Sequence, residues 1–313
     1  MVYYSSMKKF LKFLLLSPMS FACIGCDNTQ QKSEPKEPQP IDVIVISGQS
    51  NAVGCTHTNC IPRSIGYSKY QEYMEGYPGI QIAYDCWTKD NGPVYYSQNQ
   101  SKNDTFVKVM LGQGNSLATF GPEIGIAETL HEKYDGKLAL IKFACGASAL
   151  KDDWVHRDSK MYPKLIEYVK KQMQNLVELG YIPTIKALCW MQGEGDAWDG
   201  YYQVYYDNTV EFVTNLREDL REYCGNKEMA FIDAAILANS KVWQYHRKVN
   251  EAKKQFAEDG ENNIFIDTNE AGMHTNEEPF DSPDLCHYDS ESEVKLGELF
   301  AEAFEPFLEP VEE

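Results

Sequence analysis

IDVIVISGQS, residues 41–50, is a run of mostly β-branched residues that ends in a glycine-bearing turn and a serine. A short apolar run of this kind is typical of a buried strand in a parallel sheet, covered on both faces. A serine just past such a strand projects its hydroxyl at the carboxyl end of the sheet, where ligands bind in these folds. The stretch therefore predicts a central strand and a candidate nucleophile, Ser50.

Further strands and helices alternate along the rest of the chain. Apolar runs predict four more strands, at residues 137–143, 184–190, 229–236 and 263–267. Helical patterns are found at residues 123–134, 162–179, 202–223, 241–259 and 293–307. This alternation predicts βαβ crossovers and an α/β fold, a three-layer α/β/α sandwich with a central five-stranded parallel sheet. Residues 51–119, rich in Tyr, Gly, Asn and Ser, are expected to form an irregular excursion over the carboxyl edge.

The first 25 residues have the pattern of a signal peptide. Lysines precede an apolar run at residues 10–24 that is too short to span a bilayer. The run ends in Cys-Ile-Gly-Cys and resembles the lipobox of bacterial lipoproteins, which would make Cys26 the lipidated first residue. Ordinary secretion is the alternative. We expect a protein of the bacterial cell envelope, lipid-anchored on the periplasmic or outer-membrane face, or secreted.

A flexible linker and a single domain are predicted to follow. Residues 26–40 contain several proline and charged residues without apolar periodicity, as in solvated linkers. Residues 41–313 then form one domain, since the 313-residue chain is 43% hydrophobic and can bury one sizeable core. Oligomeric state is not predicted. The membrane is expected as a partner only through the lipid anchor.

Charge and cysteine content limit the classes of ligand. The formal charge of −18, from 47 acidic and 29 basic residues, argues against nucleic acid as a partner. Seven cysteines follow Cys26, and Cys55 and Cys60 are close enough to form a small disulfide loop, although the sequence leaves the pairing open. His57 lies between them, but two cysteines and one histidine lack the ligand set of a structural zinc site. We expect no metal and no cofactor.

The candidate base lies near the other end of the domain. His287 follows the last predicted strand, and Asp284 precedes it by three residues. A carboxylate at this spacing can accept the Nδ1 proton of the imidazole and leave Nε2 free to activate a hydroxyl. Because the loops after the first and last strands open on the same edge of a parallel sheet, Asp284 and His287 are expected to meet Ser50.

Two further turns supply candidate oxyanion donors. The central strand runs into WMQGEGD, residues 190–196, where Gln192 is the expected side-chain donor. Glu194 has two interpretations, a second carboxylate oriented toward the histidine or a structural residue that bonds loop amides. The small residues around Gly146 would let a backbone amide approach a substrate carbonyl. The oxyanion hole is thus predicted from Ser50, Gly146 and Gln192.

Five sequence blocks resemble one family when they are taken together and in order. They are Gly48-Gln49-Ser50-Asn51, Phe120-Gly121-Pro122-Glu123, the Gly146-Ala147-Ser148 turn with Trp154, Trp190-Met191-Gln192-Gly193-Glu194, and Asp284 with His287. The set resembles the sialate O-acetylesterase and acetylxylan esterase group, carbohydrate esterase family 6 of the SGNH hydrolases. The resemblance implies a flavodoxin-like fold and metal-free ester hydrolysis through an acyl-enzyme, with Ser50 as nucleophile, His287 as base and Asp284 as orienting acid.

The expected function is removal of acetyl groups from a glycan, of the acetylxylan or sialic acid type. Arg63 is the one arginine in loops 55–119 and 269–283 that could pair with a sialic carboxylate, which favours a neutral polysaccharide. The alternative is a catalytically idle carbohydrate-binding envelope lipoprotein on the same fold. The complete Ser50, Asp284 and His287 set argues against that alternative, because binding alone does not require it.

Overall fold

The computed structural model describes residues 37–90, 95–198, 200–238, 241–275 and 278–310. The predicted signal peptide, Cys26 and most of the predicted linker lie outside these residues. No helix within the described ranges is long and apolar enough to cross a membrane. The seven cysteines after Cys26 are all free thiols, so the small loop between Cys55 and Cys60 is not closed by a disulfide.

The described residues form nine strands and eight α-helices. The strands are β1 Gln39–Gly48, β2 Thr56–His57, β3 Tyr77–Lys89, β4 Tyr96–Val109, β5 Thr119–Phe120, β6 Leu138–Gly146, β7 Tyr181–Met191, β8 Ala230–Ala234 and β9 Asn263–Ile266. The α-helices are α1 Ser50–Val53, α2 Tyr67–Glu75, α3 Glu123–Leu130, α4 Tyr162–Glu178, α5 Glu194–Trp198, α6 Tyr205–Asp219, α7 His246–Glu258 and α8 Ser290–Phe304. Short 3-10 or π turns occur at Thr58–Cys60, Pro62–Gly66, Leu150–Trp154, Gly200–Val204, Arg221–Tyr223 and Glu305–Phe307.

Seven strands form the main sheet in the order β4-β3-β6-β1-β7-β8-β9. Neighbouring strands are parallel, except that β4 pairs antiparallel with β3. Strands β6 and β7 follow each other in the chain but lie on opposite sides of β1. The strand order therefore reverses at β1, and a crevice opens there at the carboxyl edge of the sheet. The predicted fold class is confirmed, and each of the five predicted strands is present.

The strand number and the excursion are corrected by the structure. The sheet has seven strands because residues 51–119 contribute β3 and β4 as well as α2. These strands carry tyrosines, glycine and many polar residues, since β4 is an edge strand and β3 lies beside it. A sequence pattern that identifies strands by continuous apolar runs does not detect such a pair.

Consecutive residues of β6 show that helices cover both faces of the sheet. Phe143 contacts the ring of Tyr168 in α4, with ring centroids 5.7 Å apart. Lys142, its neighbour, points to the opposite face and bonds Glu123 of α3. On the same face as α4, ring contacts run from Phe143 through Trp154 and Trp190 to Phe212 of α6. The two helix layers therefore lie on opposite faces of a buried sheet, as the alternating sequence predicted.

Helices α3 and α8 approach each other closely through two glycines. A Cβ added to Gly125 would lie 1.9 Å from the backbone oxygen of Val294, and one added to Gly297 would lie 2.1 Å from that of Pro122. No side chain fits at either position without separating the helices. Since the loop that precedes α8 contains His287, this packing helps to set the position of the histidine relative to the sheet.

Candidate active site

The predicted site residues lie at the carboxyl edge of three adjacent strands. Ser50 follows β1, Gly146 ends β6 and Gln192 follows β7, and β1 pairs with both neighbours. A Cβ added to Gly146 would lie 3.9 Å from the Cβ of Ser50, so these two residues are in close proximity. Thr88 of β3 is also near, with its Oγ1 3.6 Å from the same point. The sequence did not indicate Thr88.

The turn before Ser50 is held against the end of β7. Gly48 has a φ of +138°, and an added Cβ would lie 2.1 Å from the backbone oxygen of Met191. The next amide, of Gln49, donates to that same oxygen at 2.9 Å. Glycine is therefore required here both by conformation and by space. The turn presents Ser50 as the first, half-buried residue of α1.

Asp284 and His287 form the pair that their spacing predicted. The Nδ1 of His287 lies 2.6 Å from Oδ2 of Asp284. The other carboxylate oxygen accepts hydrogen bonds from the backbone amides of Cys286 at 2.7 Å and His287 at 3.3 Å. Burial raises the pKa of Asp284, but the bonds from His287 and the two amides outweigh it and hold the pKa at about 2. An ionised Asp284 fixes the orientation of the imidazole.

Cys55 is a second partner of His287 that the sequence did not indicate. Burial lowers the pKa of His287, whereas hydrogen bonds to Asp284 and to the Cys55 side chain raise it, and the net shift is upward. Ser50 Oγ has no hydrogen-bond partner among the residues that the structure describes. Catalytic hydrogen bonds commonly tighten only when substrate is bound. The structure thus brings Ser50 and His287 to one edge of the sheet without joining them.

Asn51 connects the three loops that carry these residues. Its side-chain nitrogen donates to Oε1 of Glu194 at 2.9 Å, and its side-chain oxygen accepts from the backbone amide of Tyr288 at 3.3 Å. Thr56 reinforces the arrangement, because its hydroxyl donates to the Tyr288 carbonyl at 2.8 Å. Asn51 is buried and directly follows Ser50, while Tyr288 directly follows His287. Asn51 therefore sets the separation between the loops of Ser50 and His287.

Replacing Asn51 with alanine is expected to lower kcat by about 100-fold, because the loops of Ser50 and His287 lose their common anchor and a displacement of about 1 Å can have this effect. KM for a small aryl ester should change much less. Steady-state kinetics would measure both parameters, with Asn115→Ala as a control on a turn outside this network. An N51A variant with unchanged kcat would show that the loops keep their positions without it.

Gln192 has a different set of partners from the one expected. The side chain is fully buried, and its Nε2 donates to Oδ2 of Asp196 at 2.6 Å, with Gln49 Oε1 and Ser148 O each at 3.4 Å. Its Oε1 accepts from the hydroxyl of Tyr205 at 3.1 Å. The amide thus holds the loops together, and contact with an oxyanion would require Nε2 to turn away from Asp196.

Glu194 is buried at the start of α5, and its Oε1 accepts a hydrogen bond from the side-chain nitrogen of Asn51. Its Oε2 has no hydrogen-bond partner among the described residues. Burial raises the pKa of Glu194. The carboxylate that hydrogen-bonds His287 is Asp284, so Glu194 acts on the histidine loop through Asn51 and Tyr288.

A buried lysine supports the short helix that begins at Ser50. Lys142 of β6 donates to the backbone oxygens of Val53 at 3.1 Å and Gln113 at 2.6 Å, and pairs with Oε2 of Glu123 at 2.7 Å. Both charged side chains are fully buried. Glu123 also accepts from the amide of Gly121 at 2.9 Å, which explains the acidic end of the Phe120–Glu123 block. In the sequence, the single lysine within the apolar run of β6 is the feature that could have indicated this buried ion pair.

A family model described as carbohydrate esterase, sialic acid-specific acetylesterase, matches residues 40–305. No curated protein sequence matches the chain significantly. Within the described residues, no three His, Cys, Asp or Glu side chains are grouped so that they could hold a metal ion.

Three solved structures are similar in fold at low sequence identity. A protein from Arabidopsis thaliana has a TM-score of 0.59 and 21% identity over 86% of this chain and 99% of its own. NanS has a TM-score of 0.61 and 15% identity over 87% of this chain and 98% of its own. A carbohydrate acetylesterase from Xanthomonas citri has a TM-score of 0.51 and 14% identity over 85% of this chain and 56% of its own.

Proposed function

Because the chain belongs to the carbohydrate esterase family of sialic acid-specific acetylesterases, we propose that it hydrolyses acetyl esters on a glycan through an acyl-enzyme on Ser50. The observation that carries this proposal is the joining of the serine and histidine loops by Asn51, with Asp284 already bonded to the imidazole. This arrangement supports a serine nucleophile activated by an oriented histidine.

In the proposed mechanism His287 Nε2 accepts the proton of Ser50 as the hydroxyl attacks the acetyl carbonyl. The negative charge that develops on the carbonyl oxygen is stabilised by backbone amides of Ser50 and Gly146, with Gln192 as a third donor once its amide leaves Asp196. His287 then gives this proton to the departing sugar oxygen, which leaves as a hydroxyl group. Water, activated by the same histidine, attacks the acyl-enzyme and releases acetate.

The substrate class follows from charge and from one arginine. The formal charge of −18 disfavours a polyanionic glycan. Arg63, however, has no carboxylate within salt-bridge distance among the described residues, and its guanidinium carbon lies 3.9 Å from the ring centroid of Phe280, four residues before Asp284. A free, stacked guanidinium is suited to a single carboxylate. Acetylated xylan and O-acetylated sialic acid are therefore the two substrates to compare.

Acetate release from acetylated xylan and from 9-O-acetylated sialic acid, measured side by side with purified protein, tests this function. Release from one substrate that disappears in the S50A variant would identify both the reaction and the glycan. No release from either substrate by folded protein would contradict the acetylesterase proposal and favour a carbohydrate-binding role.

We also propose that the protein is an envelope lipoprotein anchored through Cys26. Labelling with a radioactive fatty acid, lost in a C26A variant, would support the anchor.

The pH dependence of activity should reflect the contacts of His287. The base must be neutral, so activity is lost as the pH falls through its pKa, and the raised pKa of His287 moves this loss above the free value of about 6.5. Removing one contact that raises the pKa, as in C55A, should shift the acidic limb to lower pH. A pH profile of kcat/KM on an aryl acetate measures this shift. An unshifted limb in C55A would contradict the assigned contact.

A further inference from the structure

Five aromatic side chains gather on two loops at the carboxyl edge of the sheet, after β7 and after β8. We call them the aromatic ledge; they are Trp198, Tyr201, Tyr202, Trp243 and Tyr245. The rings of Trp198 and Trp243 meet edge to face, with centroids 6.3 Å apart, and those of Tyr202 and Tyr245 stack at 4.2 Å. The backbone amide of Tyr245 donates to the Ala197 oxygen at 2.9 Å, which joins the two loops.

The ledge is connected to the active site through α5. This helix begins at Glu194, which bonds Asn51 beside the nucleophile, and ends at Trp198. A helix rises about 1.5 Å per residue, so Trp198 lies about 6 Å further along the axis than Glu194. Between them, Asp196 accepts from the backbone amides of Leu150 and Lys151 at 2.7 and 3.2 Å, which fixes α5 to the loop that follows Gly146.

One side chain of the ledge is strongly exposed to water, and the other four are partly buried. The side chain of Trp198 is 59% exposed, although its neighbour Ala197 is fully buried. Lys151 Nζ lies 4.1 Å from the centroid of the Tyr201 ring. Exposed aromatic clusters mark binding surfaces, because covering them removes apolar area from water.

The ring geometry favours sugar units as the occupant. A pyranose ring presents C–H groups on its face, and these pack on the electron-rich face of an indole or phenol. The edge-to-face contact of Trp243 with Trp198 leaves much of the Trp198 side chain open for such packing. The formal charge of −18 makes a polyanionic chain a poor occupant. The direct connection to the esterase site supplies the reason for a glycan chain to lie there.

We propose that the aromatic ledge binds the sugar units adjacent to the acetylated unit, so that the protein acts on oligomeric or polymeric glycans in preference to acetylated monosaccharides. This inference rests on the proposed function for the reaction. It adds a preference for longer substrates and names the residues that contact the additional sugar units. Trp198 is the positioning residue with the most open ring surface. It lies outside the set of groups that perform the chemistry.

The test compares W198A with wild type on acetylated xylo-oligosaccharides of increasing length, on acetylated xylose and on an aryl acetate. We expect kcat/KM on the longer oligomers to fall about tenfold, mainly through KM, because one aromatic stacking contact is lost. Activity on acetylated xylose and the aryl ester should be unchanged. W198F should recover part of the loss, and Y67A, which removes an equally exposed aromatic ring from α2, should behave as wild type.

Two outcomes would overturn the ledge: equal losses on esters of every size, or no loss on the longest oligomer. Neither outcome affects the proposed function, which depends on acetate release that disappears in S50A. Binding gives a second readout that needs no turnover. In the S50A background, deacetylated xylo-oligosaccharides should quench tryptophan fluorescence, and W198A should weaken that binding by a similar factor; the absence of quenching with xylo-oligosaccharides and with sialyl-oligosaccharides alike would also contradict the proposal.

Discussion

Replacing Ser50 with alanine is expected to lower kcat/KM for an aryl acetate by on the order of 10⁴-fold or more, because the acyl-enzyme can no longer form. The remaining turnover would come from the oxyanion donors acting on a water molecule. The fold should be unaffected, since Ser50 is half-buried and its hydroxyl has no partner among the described residues. Steady-state kinetics with a thermal melt of the same sample would measure both effects.

Ser47, three residues earlier on β1, offers a matched control. Its hydroxyl is fully buried and has no hydrogen-bond partner among the described residues, so S47A removes an oxygen without removing a contact. S47A should therefore keep wild-type activity. The informative contrary result involves Cys55, whose side chain contacts His287. If S50A retained activity and C55A lost it, the thiol and not the serine would be the nucleophile.

Replacing Lys142 with methionine is expected to reduce the free energy of unfolding by about 3–5 kcal/mol, because the Glu123 carboxylate would remain buried without its partner. Two backbone oxygens, of Val53 and Gln113, would also lose their donor. Val53 ends α1, so loosening of the Ser50 turn should accompany the loss of stability. Urea unfolding, analysed by linear extrapolation, would measure the change.

A double variant separates the buried charge from the lost packing. In K142M/E123Q no unpaired carboxylate remains, so the double variant should be more stable than K142M alone. K133M is the matched surface control, since Lys133 is exposed and its partner Glu305 is partly exposed, and its effect should be far smaller. If K142M had the same urea midpoint of unfolding as the wild type, the role assigned to this ion pair would be contradicted.

The sequence predicted well wherever an element carries a strong local pattern. The five buried parallel strands and their helices were recognised because continuous apolar runs and helical periodicity persist over whole elements. It missed β3 and β4, where neither pattern is present: β4 forms the sheet edge, and its pairing with β3 depends on partners distant in sequence. Pairing of this kind is determined by the sheet as a whole and not by local residues.

The contacts of the candidate site show the same difference between local and long-range interactions. Asp284 and His287 are three residues apart, and a contact over one turn can be inferred from spacing alone. The contacts of Asn51 with Glu194 and Tyr288 join residues 143 and 237 positions apart. The partners of Gln192 could not be inferred either, because the choice between an oxyanion and Asp196 depends on how deeply the side chain is buried.

The sequence by itself determined the α/β class, the order of five strands with their helices and the candidate reactive groups, because periodicity, turn residues and short spacings are local properties of a chain. Only the tertiary structure decided which of those groups meet. Asn51, Cys55, Lys142 and the aromatic ledge acquire their roles from neighbours brought together when β1 is placed between β6 and β7. Packing of a buried sheet edge fixes these distances, and no local pattern encodes them.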